Sequence, residues 1–122
     1  MSTITHDDRR RDLLLREIVN RCQPSLEQRG FQLDGRGNAG PRCWVRFGRD
    51  TQDGAGHPGT LVLLVAHDRE ERAVLVESRF ADRALQVQTP RRKRIHRYEA
   101  PRQMPAVAQE TVAAVSHWLS AP

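Results

Sequence analysis

Three groupings of residues in this chain have the types and spacings that chemistry uses. Gly35, Gly37 and Gly40 reproduce G-x-G-x-x-G, the spacing that lets a backbone approach a dinucleotide pyrophosphate. That motif must open a helix whose N-terminal amides hold the phosphate. Here Pro41 and the alternating segment from Cys43 to Phe47 follow instead, so residues 35–42 are expected to be a hairpin loop. A kinase-type glycine loop does lie between strands, but no H-R-D or D-F-G accompanies it.

The second grouping is metal-ligating. The histidines are His6, His57, His67, His96 and His117, and a zinc site would have to be assembled from separate loops, for example His57 and His67 with Asp68. No two histidines share a helix turn, and a site needs at least three converging ligands, so surface histidines are the favoured reading. The third is acidic: Asp68, Glu70, Glu71 and Glu77, with Glu77-Ser78-Arg79 resembling the acidic-x-basic strand of a metal-dependent nuclease. Arginine stands where such a site uses a lysine, and it does not exchange protons near neutrality; a solvated turn and a strand-end ion pair are favoured. No G-x-S-x-G occurs, and Cys43 has no histidine in a nucleophilic context. Catalysis is therefore the minor expectation. A metal-dependent hydrolase on Asp68 and Glu77 is kept as a third reading, and no catalytic, metal or cofactor residue is assigned.

Binding residues are easier to name. Twenty basic against fifteen acidic side chains give +5, and Lys93 is the single lysine among nineteen arginines, a bias that GC-rich coding produces and that points to a bacterial source. From Arg79 to Arg102 there are eight basic residues against Asp82 and Glu99, a local excess of six, so the rest of the chain sums to −1. Arg91, Arg92, Lys93, Arg94 and Arg97 are the candidate phosphate contacts in this segment, with Tyr98 as a base-stacking platform. The structural alternative is a charged loop or sheet edge that resists aggregation. Trp44 lies between Arg42 and Arg46 on the face opposite Cys43, Val45 and Phe47. Either an element of the same chain covers it, or these three residues anchor a partner, since Trp and Arg are enriched at interfaces.

The elements that must position these residues follow from period. Leu14, Ile18, Cys22 and Leu26 recur every four residues, with Leu15 and Val19 beside them, which predicts a helix over 8–29. Asp7, Asp8 and Asp12 near its start suit the helix dipole, and Gly30 suits a left-handed cap. Pro24 predicts a kink or two short helices. From Phe31 the period falls to two, giving strands around 31–34 and 43–47, then 60–66 and 72–77 around the turn HDREE, and an edge strand at 85–89 ended by Pro90. The connections 35–42 and 51–59 are rich in turn residues. Met104, Val107, Ala108, Thr111, Val112, Val115, Trp118 and Leu119 recur at three and four, predicting a second helix with Pro105 in its first turn.

The expected fold is α+β: an N-terminal helix, a four- to five-stranded mostly antiparallel sheet and a C-terminal helix, as one domain over 1–122 with residues 1–7 disordered. Cys22 and Cys43 lack a C-x-x-C spacing and are expected to be buried free thiols. No apolar run approaches the roughly 20 residues of a membrane span, and a cytoplasmic location is expected. Leu61 to Val65 and Ala73 to Val76 are apolar on successive residues, so both faces of the central hairpin need cover. Either the helices lie on opposite faces, or they share one and a second copy or another protein covers the other. The favoured function is a non-catalytic interaction module that engages a protein partner or itself as a dimer. The alternative is RNA or DNA binding through 79–102.

Overall fold

The structure, a computed structural model, describes residues 12–120. The expectations for residues 1–7, and for Asp7 and Asp8, fall outside the described residues. The order is α1 (Leu13–Gln28), β1 (Gln32–Ala39), β2 (Arg42–Gln52), β3 (Pro58–Asp68), β4 (Ala73–Asp82), β5 (Val87–Arg97), a 3-10 turn (Pro101–Gln103) and α2 (Met104–Ser120). The strands form one antiparallel meander, β1-β2-β3-β4-β5. The α+β architecture expected from the sequence is therefore observed, with five strands. None of the described helices is long and apolar enough to cross a membrane.

The start and end of α1 differ in how they are made. Asp12 precedes the helix without capping it through its side chain. At the other end Gly30, at φ +86°, donates to the Glu27 carbonyl while Phe31 donates to that of Leu26. This pair of bonds satisfies carbonyls that a helix end leaves open, and it needs a left-handed residue at Gly30. Phe31 and Leu26 are both buried in the same core. Pro24 does not split the element: α1 runs through it. Pro24 and Asn20 are both exposed, so the carbonyl that lost its donor lies on the solvent side of the helix.

Strands are longer and loops shorter than composition suggests. The glycine-rich segment at 35–39 is strand, and only Gly40 and Pro41 separate β1 from β2. Trp44 explains two of these glycines. A Cβ on Gly37 would stand 2.7 Å from the indole, and one on Gly35 would stand 3.4 Å from it. Three other turns are built on aspartate. Asp53, Asp68 and Asp82 each accept two backbone N–H groups of the turn that follows, which fixes the chain reversal locally. The Asp68 and Asp82 turns both end on a left-handed residue, Arg72 at φ 52° and Gln86 at φ 55°.

Both helices lie on one face of the sheet. Leu14, Ile18, Cys22 and Leu26 of α1, and Val107, Ala108 and Val115 of α2, form one core with Cys43, Phe47, Leu63, Val65, Val74 and Val76. The α2 register expected from the sequence holds, since Val107, Ala108, Thr111 and Val115 are its buried residues. Burial of each large aliphatic or aromatic side chain contributes about 1.5–3 kcal/mol.

Candidate functional site

Strand alternation sends the other half of the central residues to the opposite face. There the register aligns Trp44 with Ala66, Arg46 with Leu64, Leu64 with Glu77, and Ala66 with Leu75, while Leu75 pairs with Ile95. Leu64, Leu75 and Trp44 are half-buried, and Ile95 is 46% exposed. Arg42, Arg79, Lys93 and Arg97, with Asp68, Glu71 and Glu77, surround this strip. No described helix covers it.

Of the proposed partner anchors, all three lie on this open face. Trp44 is covered in part by its own neighbours, over Gly37 and Gly35. Arg42 pairs with Asp68 at 3.5 Å, and Arg46 donates from Nε to Asp34 at 2.8 Å. Glu77, only 7% exposed, is held at 2.6 Å by Arg79.

The proposed phosphate contacts are not in a loop. Arg91, Arg92, Lys93, Arg94 and Arg97 are all within β5, which continues through Pro90 instead of ending there. Pro90 is tolerated because β5 is an edge strand. Alternation then divides the cations: Lys93 and Arg97 border the open face, while Arg92 belongs to the helix-covered side. Tyr98 is 7% exposed, and its hydroxyl lies 2.7 Å from Nε2 of His67. Its ring is a core residue and offers no stacking platform.

The other chemical groupings separate in space. His57 immediately precedes β3 and His67 is next to its last residue, about 33 Å apart at ~3.3 Å per residue. His67 is 1% exposed, and burial holds its pKa below the ordinary imidazole value, with Arg69 adding to the effect. Asp68 and Glu77 are offset by four residues along the β3/β4 ladder, about 13 Å. Asp68 is occupied as a turn acceptor, and the Glu71 and Glu70 amides keep its carboxyl below the usual range. His57 instead meets Asp53 and Asp82. Both carboxylates already accept turn amides, so this cluster is accounted for by the turns.

Cys22 and Cys43 are buried free thiols, as expected. Cys43 faces His67 across the β2/β3 ladder and donates to Asp12. Burial, and next the Asp12 carboxylate, push its pKa up to about 11, and burial does the same for Cys22. A thiol held protonated is a poor nucleophile.

One cavity was not foreseen. Between the C-terminal half of α2 and the sheet lies a space of about 320 Å³, with Arg29, Arg49, Arg91 and Arg92 among its lining residues. Arg29 and Arg49 come from separate elements with no local motif. What the sequence shows of these four is the adjacent pair Arg91-Arg92 within the basic segment. No family model matches the chain, and comparison with curated proteins and with solved structures gives no significant match.

Proposed function

We propose that this chain is a non-catalytic interaction module whose open sheet face docks a second copy of itself. The observation that carries this reading is the pair of strands apolar on both faces, combined with two helices placed on the same face. Apolar surface left in water costs about 25 cal/mol per Å², and contiguous exposed patches on soluble chains mark interaction surfaces. Charge favours a like partner. A rim of one sign would repel its own copy, whereas this rim mixes Arg42, Arg79, Lys93 and Arg97 with Asp68, Glu71 and Glu77. A two-fold pairing brings the same patch against itself and can set unlike charges opposite each other. Edge-to-edge pairing through β5 is discouraged by its charges and by Pro90.

The test is Leu75→Glu, which places a carboxylate in the middle of the strip. The wild type is expected to elute at twice the 13.9 kDa chain mass and the variant at the single-chain mass, with an unchanged far-ultraviolet circular dichroism spectrum. Equal masses for the two proteins would refute the reading. Nucleic-acid binding along β5 is the competing reading. It has less support, because the cations divide between two faces and Tyr98 is buried.

A further inference from the structure

The cavity beneath α2 lies on the helix-covered layer, so what it carries is independent of the docking face. We infer that it is a binding site for a small organic anion, an apolar body with a carboxylate or phosphate head. Its volume, about 320 Å³, is at the small end of the roughly 300–1,000 Å³ of ligand pockets. Leu61, Leu63, Trp118 and Leu119 supply apolar walls. Arg29, Arg49, Arg91 and Arg92 supply charge, and no Asp or Glu is among the lining residues. Among the described residues, none of these four guanidinium groups has a carboxylate within ion-pair distance. Four like charges around one apolar space repel one another, and an anion between them removes that cost.

Two features hold the cations in place ahead of any ligand. Arg49 stands over the Phe31 ring, 4.9 Å from its centroid, and donates from Nη1 to the Arg29 carbonyl at 3.0 Å. Arg91 stands 5.6 Å from the centroid of Phe80. Stacking on an aromatic face positions a guanidinium while leaving N–H groups at its edge for a carboxylate or phosphate.

The second feature is in the backbone. Ser78 pairs with Arg92 and Arg79 with Pro90, so Arg91 is the extra residue of a β-bulge. In a regular strand, successive residues face opposite ways. The bulge brings both Arg91 and Arg92 to the cavity, the kind of re-aiming for which bulges are used beside functional sites.

The experiment is calorimetric titration of the whole chain with octyl phosphate and with octanoate, below their micelle concentrations, and with inorganic phosphate and octanol as half-ligands. At least one of the two amphiphiles is expected to saturate one site per chain, and whichever binds identifies the head group. Phosphate alone and octanol alone should bind at least tenfold more weakly. Arg49→Gln with Arg92→Gln should weaken the amphiphile at least tenfold at an unchanged melting temperature. Arg94→Gln, on the same strand but outside the cavity, should leave affinity within twofold. Absence of saturable binding by either amphiphile would overturn the inference. So would an equal loss in Arg94→Gln, which would mean general attraction to a basic strand, as would an oligonucleotide that binds in preference and loses affinity equally in both variants. If the double variant melts early, Arg92→Gln alone, compared with Arg94→Gln, decides the question.

Discussion

On its helix-covered side the sheet buries Phe47, Val65, Val74 and Val76 to 1% exposure or less, while on its other side Leu64 and Leu75 are half-buried and Ile95 is 46% exposed. Strands β3 and β4 supply residues to both sets, at alternating positions and with similar side chains. Composition therefore does not make one face a core and the other a surface; the placement of α1 and α2 does. A face with core-like residues and no described helix over it is the one proposed to dock a second copy, and substitutions on the two faces test the difference.

The largest effect is expected from Phe47→Ala on the covered face, about 3–5 kcal/mol by denaturant unfolding, the range for truncating a fully buried aromatic. Leu75→Ala on the open face should cost the isolated chain far less, because half-buried Leu75 leaves no enclosed cavity. Its main effect should be on self-association. Equal losses of chain stability would erase the contrast between the faces.

Two glycines sharpen it next. A Cβ on Gly59 would collide with the Ala81 carbonyl oxygen and the Phe80 ring, whereas the atoms nearest one on Gly37 belong to the Trp44 indole, from 2.7 Å. Gly59→Ala is expected to cost towards the upper end of the roughly 1–3 kcal/mol typical of overpacking. Gly37→Ala should cost near the lower end, because the indole can swing outwards, and Trp44 fluorescence should shift to the red as it does.

Titration separates the faces again. His67 has a lowered pKa from burial, so below its unfolded value near 6.5 the unfolded chain binds a proton that the folded chain resists. Its contribution is present in full above about pH 6.5 and is lost as the pH falls from there through the folded value, at up to about 1.4 kcal/mol per pH unit. Asp68, by the open face, also has a lowered pKa, but its contribution is kept until the pH falls below about 3.8, the unfolded carboxylate value. Stability measured between pH 6.5 and 5 should therefore slope downwards in the wild type and be flatter in His67→Gln. An identical slope in the variant would show that another group is responsible. The smallest effect belongs to the open-face pair of Arg46 and Asp34, both over 40% exposed; Asp34→Asn should change stability by at most about 1 kcal/mol.

Periodicity made the two helices, the run of mostly antiparallel strands between them and the buried side of each helix legible, because a 3.6-residue or two-residue repeat is imposed by the same burial that the structure shows. Strand ends were less legible. Gly35, Gly37 and Pro90 look like loop residues, yet backbone pairing accommodates all three, two of them because Trp44 needs the space and one because β5 is an edge. The basic segment was legible as a charge imbalance but not as a site, since a strand distributes adjacent cations between two faces and only the bulge at Arg91 alters that distribution. Arg29 and Arg49 reach the cavity from distant positions, and no local pattern encodes their meeting. The need for cover on both faces of the central hairpin was legible from the unbroken apolar runs Leu61 to Val65 and Ala73 to Val76. Helix placement depends on tertiary packing, so which face stayed open was not.

Sedimentation equilibrium of the wild-type chain across a wide concentration range tests whether the open sheet face pairs with a second copy. A reversible monomer–dimer equilibrium ending at twice 13.9 kDa is expected, shifted to monomer by Leu75→Glu. A single-chain mass at every concentration, with the strip around Leu64 and Leu75 left in water, would contradict it.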